Sequence, residues 1–250
     1  MHRTDSPHAG TASITLLESF DSWAQLLRYG PPSTDAGRTE PAPTLPEAEP
    51  YRPTLRRPLA LLHVVDDGRD DGETIRLRGD RLVIGRAAGD VRVEHDVCMA
   101  SPHAALERTA DGLWRLADLG SDRGTFVRVL AARLHPGSCV QLGATRFRFE
   151  LPSDVEPRLV ELAPDGDGPA HACRTPLTTI GRRGGGADVL VEDRFVSPLH
   201  AELRRTENGW RIANRGLNGL WVRIDGPVRL ACPSQFQCGE QRFVFVPLAE

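Results

Sequence analysis

Lysine is absent: all 31 Lys+Arg residues of this 250-residue chain are arginine. The stretch "TIGRRGGGADVLVEDRF" (179–195) sets a glycine run after two arginines, and backbone N–H groups in such a loop can wrap a phosphate. A P-loop, however, ends in the lysine that is missing here. A dinucleotide fingerprint must open a helix, whereas Gly186 is followed by "ADVLVED", an alternating stretch that reads as a strand. Both nucleotide readings therefore match poorly. The five cysteines (Cys98, Cys139, Cys173, Cys232 and Cys238) include no C-x-x-C pair and no histidine at zinc-ligand spacing. They read as reduced core thiols of a cytoplasmic protein, with no metal site. No apolar run approaches the roughly 20 residues of a membrane span, and the first residues carry no apolar signal core. The chain is accordingly expected to be soluble and unexported. A formal net charge of −3 argues against a general nucleic-acid or membrane partner, so any basic site must be local.

What the sequence does contain is a repeat. "VIGRAAGDVRVEHD" (83–96) recurs as "TIGRRGGGADVLVED" (179–193), "HAALERTADGLWRLAD" (103–118) as "HAELRRTENGWRIAN" (200–214), and "LGATRFRFEL" (142–151) as "CGEQRFVFVP" (238–247). Gly85 and Gly181, Trp114 and Trp210, and Phe147 and Phe243 are each 96 positions apart. Each copy is a series of short alternating segments punctuated by Gly, Pro, Asn and Asp, which predicts a β-sandwich without helices. Trp114 and Trp210 are expected in the cores. The expected domains are an N-terminal region over 1–58 and two sandwiches over 59–153 and 154–250.

The N-terminal region differs. "SITLLESFDSWAQLLRYGPP" (13–32) places Ile14, Leu17, Phe20, Ala24 and Leu27 at helical spacing, with Thr15 and Glu18 as a capping box and Gly30-Pro31-Pro32 as the stop. A proline-rich polar linker follows over 33–58. Two roles fit this short amphipathic helix: completing the first sandwich's core, or docking in a partner's groove. A third idea is that the tail, phosphorylated at Thr11, binds the second sandwich in cis.

The two repeats resemble the forkhead-associated (FHA) domain, a β-sandwich family that recognises phosphothreonine in partner proteins. The motifs that carry the resemblance stand in the second copy as Gly181-Arg182, Asp188-Val189, Ser197-Pro198-Leu199-His200-Ala201 and Asn218-Gly219. The resemblance implies that Arg182 and Ser197 bind the phosphate, that Asn218 holds the peptide backbone, and that Gly181, His200 and Gly219 shape the loops. A guanidinium and a hydroxyl suit a group carrying about −1.5 to −2 charge and three acceptor oxygens. Arg183, Arg194 and Arg215 fall in the same predicted loops and add local positive charge. Pro198 stands where the family often has a second phosphate-binding arginine. The first copy departs further: it keeps Gly85, Arg86 and His103, has Arg123 at the asparagine position, and has Ala100 or Ser101 at the serine position, depending on the alignment.

Neither copy offers a nucleophile with a base, a carboxylate pair or a metal set. The expectation is a non-enzymatic adaptor without cofactors, in which the second domain binds a threonine-phosphorylated protein such as a Ser/Thr kinase or its substrate. The arginine, alanine and glycine bias fits a bacterial source. The alternative is a phosphate-independent scaffold that works through its FHA-like surfaces and the N-terminal helix.

Overall fold

The computed structural model describes residues 58–65, 72–152, 156–163, 165–174 and 176–248. The helix expected within 14–28 and all but the last residue of the expected linker lie outside these residues. Alternation in sequence becomes strand throughout. In "TRFRFE", Phe147 and Phe149 are fully buried between half-buried Arg146 and Arg148, because successive side chains of a strand point to opposite faces. Among the described residues the fold is all-β, with no helix.

The first repeat supplies β1 (Ala60–Val65), β2 (Thr74–Leu77), β3 (Arg81–Gly85), β4 (Val91–Arg92), β5 (Ala104–Arg108), β6 (Trp114–Asp118), β7 (Thr125–Val129), β8 (Ala131–Leu134), β9 (Cys139–Leu142) and β10 (Thr145–Glu150). The second supplies their counterparts in the same order: β11 (Arg158–Ala163), β12 (Gly166–Ala172), β13 (Leu177–Arg182), β14 (Val189–Val191), β15 (Ala201–Thr206), β16 (Gly209–Asn214), β17 (Leu220–Arg223), β18 (Val228–Leu230), β19 (Ser234–Cys238) and β20 (Gln241–Pro247). A ten-stranded sheet runs in the order β12-β11-β10-β9-β17-β7-β19-β20-β1-β2, and two five-stranded sheets run β14-β13-β15-β16-β8 and β18-β6-β5-β3-β4.

Two sandwiches result, and each is built from both repeats. In one core, Leu62, Ile84, Leu106 and Trp114 of the first repeat pack with Phe236, Phe243 and Phe245 of the second. In the other, Ile180, Leu203 and Trp210 of the second repeat pack with Val140, Phe147 and Phe149 of the first. β8 adds to β16, with Leu134 opposite Trp210, and β18 adds to β6, with Leu230 opposite Trp114. The two repeats have exchanged their last three strands. The domain boundary expected between 153 and 154 therefore does not divide the sandwiches: it falls in the connection between β10 and β11, which pair with each other.

The hinge explains the exchange. Only Leu130, 87% exposed, separates β7 from β8, and a short hinge favours exchange over local closure. The chain therefore runs from β7 straight into the neighbouring sandwich. Once β8–β10 occupy that sandwich, only β18–β20 remain to close the first. The corresponding link in the second repeat, Ile224–Pro227, is longer, and Ile224 is buried in the first core.

The expected core tryptophans are buried, whereas the cysteines only partly match expectation. Cys173 and Cys238 are buried free thiols, but Cys232 is exposed, in the turn after β18, and Cys98 and Cys139 are half-buried. No helix among the described residues is long and apolar enough to cross a membrane.

The exchange predicts which fragments fold. Residues 131–223 carry all ten strands of the second sandwich, so this fragment is expected to unfold cooperatively on heating. Residues 154–250 lack β8–β10 and are expected not to. A cooperative transition for 154–250 with none for 131–223 would show that each repeat closes on itself.

Candidate functional site

Three loops of the second repeat converge: 183–188 between β13 and β14, 192–200 between β14 and β15, and 215–219 between β16 and β17. His200, fully buried, ties the last two together. Its Nδ1 accepts from the Ser197 amide at 2.9 Å, so Nε2 carries the proton and donates to the Gly219 carbonyl at 3.0 Å. Both ring nitrogens are thus used inside the fold, where they join the 192–200 and 215–219 loops. The Arg182 amide donates to the Ser197 carbonyl at 2.9 Å, which sets these two residues side by side. Ser197 Oγ accepts from the Leu217 amide at 3.2 Å, and the Asn218 amide nitrogen donates to the Phe195 carbonyl at 2.8 Å.

The glycines serve this packing. A Cβ on Gly181 or Gly185 would run into the backbone of Pro198, and one on Gly216 into the His200 ring. Gly184 and Gly186 have φ of +89° and +77°, a region that disfavours other residues. The run "GGG" is therefore a turn pressed against Pro198. Asp188 closes the same loop by accepting from the Thr179 amide and hydroxyl, both at 2.7 Å, and these bonds hold its carboxyl below the usual carboxylate range.

The arginines differ in how they are engaged. Arg183 pairs with Glu192 at 2.6 Å and Arg215 with Glu202 at 3.0 Å, while Arg194 lies over the Phe195 ring at 4.7 Å. Arg182 is exposed, and its guanidinium has no hydrogen bond or ion pair among the described residues. Both arginines are exposed, and ion pairs of surface arginines contribute little, so either is readily traded for a stronger anion. The arrangement can present one uncommitted guanidinium and one hydroxyl to a phosphate, with three further cations, Arg183, Arg194 and Arg215, within the same loops.

The family model of the FHA domain matches residues 82–143 and 178–238. The chain carries two tandem FHA domains. Each matched stretch crosses its hinge, so its last strands lie in the opposite sandwich. Among solved structures, the FHA domain of the CT664 protein from Chlamydia trachomatis is similar at 12% identity and a TM-score of 0.35, covering 76% of this chain and 98% of that one. An FHA domain from a study of phosphothreonine-dependent FHA domain interactions has 14% identity, a TM-score of 0.33 and coverage of 76% and 98%. The FhaA FHA domain complexed with the intracellular domain of Rv3910 has 13% identity, a TM-score of 0.31 and coverage of 74% and 98%. A search of curated protein sequences returns no match.

The first FHA domain repeats the scaffold and keeps an exposed arginine, Arg86, but has neither the serine nor the asparagine. The Arg86 amide donates to the Ala100 carbonyl at 2.9 Å, and the Ala100 amide to His103 Nδ1 at 2.9 Å. His103 Nε2 reaches the Gly124 carbonyl at 3.3 Å. Ala100 thus stands where Ser197 stands in the second domain, which resolves the alignment. Ser101 is the next residue along, and its hydroxyl accepts from the Ala87 amide at 3.2 Å. Gly85 is pressed against Ala88 and Pro102 as Gly181 is against Pro198, and Arg123 is exposed at the asparagine position. Burial lowers the pKa of His103, outweighing its bond to Gly124 and the nearby Asp118.

Three residues that shape the sites escaped the motif reading. Asp193 accepts from the Phe195 amide through Oδ1 at 2.8 Å, and through Oδ2 from the Ala144 and Thr145 amides at 2.6 and 3.1 Å. Asp96 does the same for Cys98, Glu240 and Gln241. Each carboxylate clips the β9–β10 or β19–β20 turn contributed by the other repeat. Arg128, on β7, donates to the Leu217 carbonyl at 3.1 Å and so braces the second domain's 215–219 loop from the first repeat. The repeated "ED" and "HD" that end the first motif were the available signal for the two aspartates. Arg128 had none, because its contact exists only through the exchange.

Asp193→Ala removes a charged acceptor from three amides and is expected to cost about 1.5–3 kcal/mol, the range for hydrogen bonds to charged groups, read as a lower urea midpoint. A midpoint unchanged within error would mean that the clip holds nothing.

Proposed function

We propose that this protein is a non-enzymatic, phospho-dependent adaptor whose second FHA domain binds a phosphothreonine in a partner protein. The observation that carries the reading is the uncommitted guanidinium of Arg182, a residue bonded through its backbone to Ser197, in a loop cluster whose other arginines are paired or stacked. In this reading Arg182 and Ser197 take the phosphate. Arg183, one residue on, is positioned to release Glu192 and supply the second cation that Pro198 does not. Asn218 holds the Phe195 carbonyl through its amide nitrogen and keeps its side-chain oxygen for a peptide N–H.

The FHA family match over both copies supports the same general role here. The partner is then a threonine-phosphorylated protein in a Ser/Thr kinase pathway of the cytoplasm, a kinase or its substrate. The first FHA domain, with Ala100 and Arg123 in place of the donors, is a contact module that completes the second. The N-terminal region is a docking element for a further protein.

The test is anisotropy of the full chain with a phosphothreonine peptide library and its unphosphorylated twin. Arg182→Ala and Ser197→Ala are each expected to weaken phosphopeptide binding by about 1.5–3 kcal/mol, roughly tenfold or more, whereas Arg86→Ala leaves it unchanged. Equal affinity for phosphorylated and unphosphorylated peptides would overturn the reading in favour of a phosphate-independent scaffold.

A further inference from the structure

A cleft of about 710 Å³ lies beside the β7 and β17 pair and is lined by residues of both repeats. Arg146 and Arg242 are among its lining residues. Arg146 stacks over Phe126 at 4.8 Å with its Nε bonded to Gln141 Oε1 at 3.0 Å, and Arg242 stacks over Trp221 at 4.6 Å with its Nε bonded to Gln237 Oε1 at 3.3 Å. Arg123 and Arg223 also line it, against two carboxylates, Asp122 and Glu240. None of the four guanidiniums forms an ion pair with a carboxylate among the described residues. A chain with a net charge of −3 thus concentrates positive charge in a concave, partly desolvated place, where it acts on an anion more strongly than at an open surface.

Burial pulls Arg146 and Arg242 below the ordinary arginine range, and a second arginine, Arg123 or Arg128, adds to the shift in each case. Guanidiniums remain charged regardless, so the unfavourable environment is relieved by a bound anion. The cleft borders the second FHA site. Phe195 and Asn218, whose mutual hydrogen bond belongs to the second FHA site, are also part of the lining, so a peptide held at Arg182 and Ser197 has the cleft next to it.

We propose that this cleft is an anion-binding subsite that receives an acidic stretch flanking the partner's phosphothreonine. The inference rests on the phosphothreonine reading of the second domain and adds a selection rule. Partners carry carboxylates or a further phosphate on one side of the phosphothreonine, and the strand exchange creates the site that reads them.

The experiment uses the full chain and three phosphothreonine peptides with neutral flanks, an acidic N-terminal flank or an acidic C-terminal flank, each with its unphosphorylated twin. One acidic phosphopeptide is expected to bind about tenfold more tightly than the neutral one, with the advantage shrinking as salt is raised. Arg123→Glu, on an exposed loop, and Arg146→Gln are expected to reduce that advantage while leaving the neutral phosphopeptide's affinity unchanged. If Arg146→Gln does not fold, Arg123→Glu still decides. Phosphate-dependent binding with no acidic advantage, or an advantage that both variants retain, overturns the subsite and leaves the domain's function standing. Loss of all phosphate dependence overturns the function instead.

Discussion

The structure depends on one antiparallel strand pair, β7 against β17. Val127 sits opposite Val222, its own counterpart in the repeat, with Phe126 opposite Arg223 and Arg128 opposite Trp221. The pair is thus a pseudo-two-fold axis of the kind that relates subunits in a homodimer, here within one chain. Flanking contacts obey the same symmetry: buried Gln141 and Gln237 meet across it at 3.3 Å, and each accepts from its own arginine. Because these glutamines are bonded on both sides, the polar pair is satisfied, and a satisfied network of this kind specifies one register. Without the β7 and β17 pair, the ten-stranded sheet would be two half-sheets with exposed edges.

That constraint reaches the functional site. The loop carrying Asn218 leads directly into β17, and Arg128 on the opposing strand holds the Leu217 carbonyl, whose own amide is fixed by Ser197 Oγ. Asp193 locks the neighbouring loop onto a turn donated by the first repeat. The second FHA site is accordingly supported by residues of both copies. This gives the first copy a role that does not require it to bind a phosphate, and it is consistent with Ala100 and Arg123 standing where donors would be needed.

Much of this was legible in the sequence, and the part that was not has a physical reason. Alternation such as "TRFRFE" gave the strands, and the spacing from Gly181 to Asn218 gave the loops. The exchange was hidden because β8–β10 and β18–β20 are copies of one another, with phenylalanines at matching positions, so either set fits either core. Only the link lengths break the tie, a single Leu130 against Ile224–Pro227, and hinge length leaves no mark in hydrophobic pattern. The engagement of Arg183, Arg194 and Arg215 was equally invisible, since their partners Glu192, Phe195 and Glu202 look like ordinary loop and strand residues.

The central claim is that phosphothreonine is read at one site only, on the second copy. The most direct test is a two-dimensional amide spectrum of the full chain titrated with a phosphothreonine peptide. The account predicts that the largest shifts fall on the amides of Arg182, Ser197, Leu217 and Asn218, while those of Arg86 and Ala100 stay in place. Shifts centred on Arg86 and Ala100, or none at either loop cluster, would contradict it.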